Sequence, residues 1–156
     1  MRGLYPSQPM VGVGALVIRN GSVLLVRRAA PPDKGLWAIP GGKVELGEGV
    51  CSAAARELQE ETSLSCKPKG VVNVDEIITF EGASVKYHYV LITVLMDDCA
   101  GSVRPASDAL DAAFFNVVEA SQRSDVAEST RGFLRKVIEG RAPLSNPIKV
   151  FRSSPP

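Results

Sequence analysis

The chain has 156 residues, which is enough for one domain with its own core and too few for a second. Hydrophobic residues make up 45% and charged residues 22%, the balance of a globular protein and not of a disordered or coiled-coil chain. The formal net charge is only +1, so we expect neither nucleic acid nor a membrane as a partner. We expect a single domain over residues 1–156, with about 1–8 and 152–156 flexible.

The cysteines and the N-terminus indicate a cytoplasmic protein. Cys51, Cys66 and Cys99 form no CxxC pair and only one histidine is present, which argues against a zinc site. We therefore expect reduced thiols. No segment has the apolar length of a signal peptide or a membrane span. The oligomeric state stays open, with a homodimer among the alternatives.

The first half of the chain predicts a hairpin, a long loop and a helix, in that order. Two β-branched runs within 10–28 flank Asn20-Gly21, a dipeptide that favours a tight hairpin turn. Three prolines and five glycines interrupt regular structure in 29–49, which predicts a long loop. From 50 to 64 the apolar residues recur at helical spacing.

The second half predicts strands followed by a C-terminal helix. Residues 71–80 and 85–95 are rich in Val, Ile, Tyr and Thr, and a short strand is expected at 112–116. Ser124 is the predicted N-cap of a helix that stops near Gly140. This order of elements predicts an α/β (α+β) fold with a mixed β-sheet sandwiched between helices.

A cluster of glutamates occupies one face of the first predicted helix. Glu57, Glu60 and Glu61 are related as i, i+3 and i+4, so their carboxylates project from the same side. Three like charges so placed repel one another, and only Arg56 is near enough to offset them. A hard divalent cation such as Mg²⁺ (or Mn²⁺) would supply the missing charge and keep positions open for water and phosphate oxygens. The alternative is an acidic, solvated helix face.

The spacing around this cluster resembles the Nudix box, Gly-x5-Glu-x7-Arg-Glu-U-x-Glu-Glu-x-Gly-U with U aliphatic. Eight of its nine fixed positions match, and they are Gly42, Glu48, Arg56, Glu57, Leu58, Glu60, Glu61 and Leu64. The departure is Ser63, where the family has glycine. A residue at that point adopts a left-handed conformation, which costs a non-glycine residue about 1 kcal/mol. We therefore expect a mildly strained helix end with every ligand position retained.

The resemblance implies a Nudix-type fold and a divalent-metal-dependent pyrophosphohydrolase acting on a nucleotide-like small molecule. The implied metal ligands are Glu57, Glu60, Glu61 and the Gly42 carbonyl. Arg56 is implied to orient Glu57, and Glu48 is implied as an accessory carboxylate at the substrate site. The general base is left open between a box glutamate and Asp108, for which capping a polar loop is the alternative.

Four further residues are candidates for binding substrate, each with a plainer alternative. Arg28 resembles a phosphate-contacting arginine of triphosphate-cleaving relatives, or it is a solvated strand-end cation. Phe80 and Tyr89 would stack on a base, although aromatic residues at such strand positions commonly belong to a core. Asn146 is a candidate reader of a purine edge or a simple turn residue.

These residues are consistent with three functions. The stretches around Arg28, Tyr89 and Asp108 resemble small Nudix proteins described as ADP-ribose pyrophosphatases, so a nucleoside diphosphate linked to another moiety is the favoured substrate. However, the proline that marks well-defined ADP-ribose enzymes is replaced by Thr79 and Phe80. The box is equally similar to enzymes that hydrolyse oxidised nucleoside triphosphates, so a triphosphate pyrophosphatase is the alternative. A catalytically silent nucleotide sensor is the third, although such domains usually lose a metal glutamate or the arginine.

Overall fold

A computed structural model describes residues 3–153. Its elements, in chain order, are β1 (Met10–Leu16), β2 (Ile18–Arg19), β3 (Ser22–Arg28), β4 (Trp37–Ala38), β5 (Gly41–Lys43), α1 (Val50–Thr62), β6 (Ser65–Glu81), β7 (Ser84–Ala100), β8 (Ala109–Asn116), α2 (Val117–Ala120) and α3 (Glu128–Ile138). Residues 1, 2 and 154–156 of the terminal segments expected to be flexible lie outside the described residues. Tyr5, within the described part, donates its backbone N–H to Lys86 and its hydroxyl to Glu81 at 2.6 Å.

The first sheet mixes parallel and antiparallel strands in the order β5-β1-β7-β6. Strand β1 runs parallel to β7, whereas β5 pairs antiparallel with β1 and β6 pairs antiparallel with β7. Gly42 of β5 lies opposite Val13, and Gly41 lies opposite Gly14. The two glycines thus form one edge of this sheet.

A second, antiparallel sheet is built around β3. The predicted hairpin turn is confirmed, because Asn20 and Gly21 both have positive φ between β2 and β3. Strand β3 also pairs with β4 and β8. The sequence predicts a single sheet because strand propensity does not indicate which strands pair. The residues flanking Asn20-Gly21 are divided between the two sheets, with β1 in the first and β3 in the second.

Helices cover both faces of the first sheet. Alternate residues of β1 face opposite ways: Val13 packs in a core with Leu58 of α1, and Leu16 packs in a second core with Phe133 and Leu134 of α3. The α+β fold with a mixed sheet between helices is confirmed, with the second sheet as an addition. Among the described residues, no helix combines the length and the apolar character needed to cross a membrane.

Tertiary pairing overrides the local prediction at two places. The predicted loop over 29–49 contains β4 and β5, because its backbone pairs with β3 and β1. The prediction of Ser124 as an N-cap is wrong: α3 starts at Glu128, and its N-cap, Ala127, makes no side-chain capping bond. The N–H groups of Trp37 and Ala127 are instead used in hydrogen bonds between 125–127 and β4.

The cysteines also differ from expectation. Cys66 and Cys99 form a disulfide that joins β6 to β7, so the prediction of reduced thiols is wrong for this pair. The strand register explains the pairing, because Ser65 and Ala100 lie opposite one another at the open end of the long hairpin. Cys51 is free.

Candidate active site

Helix α1 carries the acidic cluster and ends as the sequence predicts. Its first turn closes when the N–H of Ala53 donates to the carbonyl of Gly49. At the other end Ser63 adopts the left-handed conformation, with φ 68° and ψ 4°, and its N–H donates to Gln59. The expected strained position is therefore present, occupied by serine.

Arg56 gathers three carboxylates of the cluster. Its Nε and Nη2 form a two-pronged ion pair with Glu48, at 2.6 and 2.8 Å. Its Nη1 donates to Glu57 Oε1 at 2.8 Å and to Glu60 Oε2 at 3.3 Å, and Nη2 also reaches the carbonyl of Lys43. The hydrogen bonds from Arg56 lower the pKa of Glu48. Arg56 therefore contacts Glu57 directly, as expected of a residue that orients it.

Glu61 differs from the other acids of α1 because it is buried, with only 4% of its surface exposed. Burial, followed by the charges of Asp108 and Glu57, raises the pKa of Glu61 to about 8. The N–H of Gly41 donates to Glu61 Oε1 at 3.2 Å, and this bond and the charge of Arg28 oppose the increase. The positive charge near Glu61 is therefore too small to offset the effects of burial and of the two neighbouring acids on its pKa.

Glu57 lies against the glycine edge of the first sheet. Its pKa is raised, chiefly by burial, while the hydrogen bond from Arg56 acts in the opposite direction. A Cβ atom added to Gly42 would overlap the Glu57 carboxylate. Glycine at this position therefore allows the backbone of β5 to approach the acidic face of α1.

Asp108 and Arg28 complete the acidic end of the site. Together with Glu61, Ala29 and Ala30 they line a small depression. The carbonyl of Asp108 accepts a hydrogen bond from the N–H of Ala29, and Arg28 Nε donates to Pro32 at 2.7 Å. Asp108 and Glu61 line this depression together, and the charge of Asp108 raises the pKa of both Glu61 and Glu57.

The donor set suits a hard divalent cation. Within residues 3–153, no three acidic, cysteine or histidine side chains converge tightly enough to hold an ion, and Arg56 holds Glu57 and Glu60. The buried Glu61 and the close approach of Gly42 to Glu57 nevertheless provide oxygen donors of the kind that such a cation binds. An ion bound there would compete with Arg56 for the oxygens of Glu60, whereas Arg56 contacts Glu57 through Oε1.

A cleft of about 670 Å³ extends from this end across the face of the first sheet. Arg28 and Gly41 lie at one end, and α3 forms the opposite wall. Tyr89 lines the cleft but is only 1% exposed. Phe80 is 64% exposed and Asn146 lies in a turn, with its N–H bonded to Pro143, and neither lines the cleft. The structure thus brings Tyr89 to the candidate site and leaves Phe80 and Asn146 outside.

A polar group in this cleft was missed by the sequence analysis. Lys136 of α3 donates to Asn73 at 3.1 Å and to Asp75 at 3.4 Å, and Asn73 donates to Asp75 at 2.9 Å. Asp75 and Lys136 both line the cleft. The available signal was a pair of polar residues at alternate positions of an apolar strand, but its partner on α3 is 61 residues away from Asp75.

Two glycines of an edge strand thus face a glutamate-bearing helix next to a cleft. This is the arrangement expected from the sequence for a Nudix-type hydrolase. The NUDIX domain family matches residues 8–137, so the chain belongs to the Nudix family.

Particular relatives differ in the reactions that their names state. An ADP-ribose pyrophosphatase of Methanocaldococcus jannaschii is 34% identical over 70% of this chain and 63% of its own length. The human 8-oxo-dGDP phosphatase NUDT18 is 39% identical over 42% of this chain and 20% of its own length. The chain thus spans less than two thirds of either relative. A MutT Nudix hydrolase structure from Burkholderia pseudomallei aligns with a TM-score of 0.75 at 28% identity, covering 84% of this chain and 99% of the other.

Proposed function

We propose that the chain is a divalent-metal-dependent pyrophosphohydrolase that cleaves a nucleoside diphosphate linked to another moiety, with an ADP-ribose-like substrate favoured. One observation carries the proposal. The buried Glu61 accepts a hydrogen bond from Gly41 and shares a small depression with Asp108 and Arg28. Gly41 and Arg28 also line a cleft large enough for a nucleotide-sized ligand. Three neighbouring acids reduce the stability of the fold unless a cation neutralises them. Such a cluster is therefore typical of a functional site.

The proposed roles follow from where each side chain lies. The ligands of a Mg²⁺ or Mn²⁺ ion would be Glu57, Glu60, Glu61 and the carbonyl of Gly42. When bound there, a divalent ion supplies positive charge to the diphosphate and acidifies a water molecule. Arg56 orients Glu57 through its 2.8 Å hydrogen bond, and Glu48 anchors Arg56.

The remaining chemistry belongs to residues around the small depression. Asp108 accepts the proton of the attacking water, with a box glutamate as the alternative base. Arg28 lies between this depression and the cleft, where its guanidinium can bind a phosphate oxygen. Tyr89 contributes to the wall that receives the nucleoside.

The substrate class is tested by a panel of compounds. ADP-ribose, sugar nucleotides, dinucleotides, 8-oxo-dGTP and ordinary triphosphates are incubated with Mg²⁺ or Mn²⁺, with and without EDTA, and the products are separated chromatographically. Nucleoside monophosphate released from ADP-ribose, and lost with EDTA, supports the proposal. Similarity to the archaeal ADP-ribose pyrophosphatase favours this outcome.

Hydrolysis of nucleoside triphosphates, oxidised or not, is the second candidate. It is favoured by the similarity, over 33% of the chain, to a putative 8-oxo-dGTP diphosphatase of Mycobacterium tuberculosis. Thr79 and Phe80, which stand where a proline marks ADP-ribose enzymes, also favour it. Pyrophosphate released from a triphosphate in the same panel would select it. Nucleotide binding without turnover on any compound would instead favour a substrate outside the panel or a nucleotide sensor.

We also propose a cytoplasmic location, where nucleotide pools are present. Disulfides are rare in that compartment, so the Cys66–Cys99 bond argues against this location. Fractionation of the source cells tests it. Recovery of the protein with cytoplasmic proteins supports the location, and recovery from an oxidising compartment contradicts it.

A further inference from the structure

Residues 101–108, called the crossing segment here, run along the last turn of α1. The N–H of Arg104 donates to the carbonyl of Thr62 at 2.8 Å, and the N–H of Ala106 donates to the carbonyl of Glu61 at 3.0 Å. Between these two bonds, the Ser63 hydroxyl donates to the carbonyl of Arg104 at 3.0 Å. The segment is therefore bonded to the same turn that carries Glu61.

The crossing segment ends at Asp108, and its far end is also fixed. The N–H of Ala109 donates to Ala106 at 3.1 Å, and the N–H of Ala29 donates to the carbonyl of Asp108 at 3.0 Å. Asp108 is thus only two residues beyond the bond between Ala106 and Glu61. Any slippage of the segment along α1 would change the distance between the Asp108 and Glu61 carboxylates.

Ser63 provides the one side-chain bond among these contacts. Its backbone is left-handed, a conformation that glycine adopts without strain. Glycine would keep the turn and relieve the strain, but it would remove the hydroxyl that holds Arg104. Serine at this position therefore has a strained backbone but bonds to the segment that carries Asp108. Glycine would lack both the strain and the bond.

We propose that Ser63 is a positioning residue: its hydroxyl holds the crossing segment so that Asp108 stays beside Glu61. This inference rests on the proposed function, in which Asp108 takes the proton from the attacking water. The Ser63 hydroxyl bonds to the carbonyl of Arg104, so it acts through Asp108.

The test compares Ser63→Ala with Ser63→Gly. Both remove the hydroxyl, so we expect kcat to fall by about five- to tenfold in each, with KM within about twofold. Stability should separate the two variants, because only glycine relieves the left-handed backbone. We expect Tm of Ser63→Gly to exceed that of Ser63→Ala by roughly 2–4 °C. An unchanged kcat in both, or a loss that follows Tm, would overturn the proposal.

A double-mutant cycle tests whether the effect passes through Asp108. In an Asp108→Asn background, Ser63→Ala should cause no further loss of kcat. A full additional loss there would contradict positioning, and so would full activity of Asp108→Asn alone. The matched control is Ser65→Ala, which removes an exposed hydroxyl two residues away and should leave kcat unchanged.

A measurement without substrate keeps this inference separate from the proposed function. Amide hydrogen exchange at Arg104, Ala106 and Ala109 should become faster in Ser63→Ala and Ser63→Gly than in wild type. Unchanged exchange would overturn the positioning role even if the enzyme is active. Faster exchange in a chain that hydrolyses none of the tested substrates would support the role of the Ser63 hydroxyl in holding the crossing segment. It would contradict the proposed function.

Discussion

Glu61 makes the stability of the metal-free protein depend on pH. Its pKa rises from 4.5 to about 8 on folding, chiefly through burial, so the folded chain binds a proton that the unfolded chain releases. The stabilisation is full below about pH 4.5 and is lost as pH rises through 8. We expect the free energy of unfolding to fall by on the order of 1–4 kcal/mol across this window. Urea unfolding in EDTA at several pH values measures it.

The Glu61→Gln variant is the critical comparison for this pH dependence. Glutamine cannot ionise, so the decline between pH 5 and 8 should be much smaller. Glu139→Gln is the matched control, because Glu139 is an exposed residue that pairs with Arg141 outside the cleft. If Glu61→Gln keeps the wild-type slope, another group is responsible.

Glu60 allows metal binding to be separated from folding. Its side chain is 48% exposed and contacts Arg56 only at 3.3–3.5 Å, so Glu60→Gln should change Tm little. As a proposed metal ligand, however, its loss should lower kcat by about 100-fold or more. Steady-state kinetics over a Mg²⁺ titration, with Tm recorded in EDTA, give both quantities. Full activity of Glu60→Gln would contradict the assignment of Glu60 as a metal ligand.

The sequence predicts this site unevenly at the residue scale. The spacing of Glu57, Glu60 and Glu61 identifies the helix face, and the position of Ser63 correctly predicts a left-handed residue. Helical spacing does not indicate that Glu61 is buried while Glu60 is exposed. That difference arises because β5 and the segment carrying Asp108 both bond to Glu61, through the N–H groups of Gly41 and Ala106.

Among the elements, α3 has a second role besides covering the sheet. Lys136 donates to Asn73 and Asp75 across the cleft wall, and its side chain is 34% exposed. A substrate that reaches this wall can use the remaining donor of the ammonium. We expect Lys136→Met to raise KM by about three- to tenfold, with kcat within about twofold.

Arg141→Met is the control for Lys136→Met. Arg141 is a cation of the same C-terminal region that pairs with Glu139 and does not line the cleft. Its KM should equal that of wild type. Equal KM values in both variants would show that the ligand does not reach α3, and a fall in Tm without a change in KM would leave Lys136 with a structural role.

Local signals predicted the elements better than the contacts between them. Asn20-Gly21 was sufficient to indicate a hairpin, because both residues tolerate positive φ. Ser124 resembles an N-cap, but the carbonyl of Asp125 accepts a hydrogen bond from Trp37, and the helix begins only at Glu128. Likewise, the Cys66–Cys99 pair depends on the register of two long strands, which spacing alone does not reveal.

At the scale of the whole molecule, the site joins three parts of the chain that are distant in sequence. Arg28 ends β3, Glu57 and Glu61 belong to α1, and Asp108 closes the crossing segment. Each part is held by other packing, since β3 belongs to the second sheet and α1 covers the first. A ligand that needs all three parts therefore binds only the folded chain, so its binding free energy adds to the stability of the fold.

Divalent metal should stabilise the fold, and more strongly at high pH. At about 100 times its Kd, an ion that binds only the folded state adds about 2.7 kcal/mol, which raises Tm of a chain of this length by roughly 5–10 °C. The ion must displace the proton on Glu61, whose pKa of about 8 makes binding weaker at pH 6 than at pH 9. Thermal unfolding with Mn²⁺, Mg²⁺ or EDTA at both pH values tests this, with Glu61→Gln as the variant that should lose the shift. An equal shift at both pH values would mean that Glu61 does not bind the ion. A shift that persists in Glu61→Gln but disappears in Glu57→Gln would place the ion on the Arg56 side of α1.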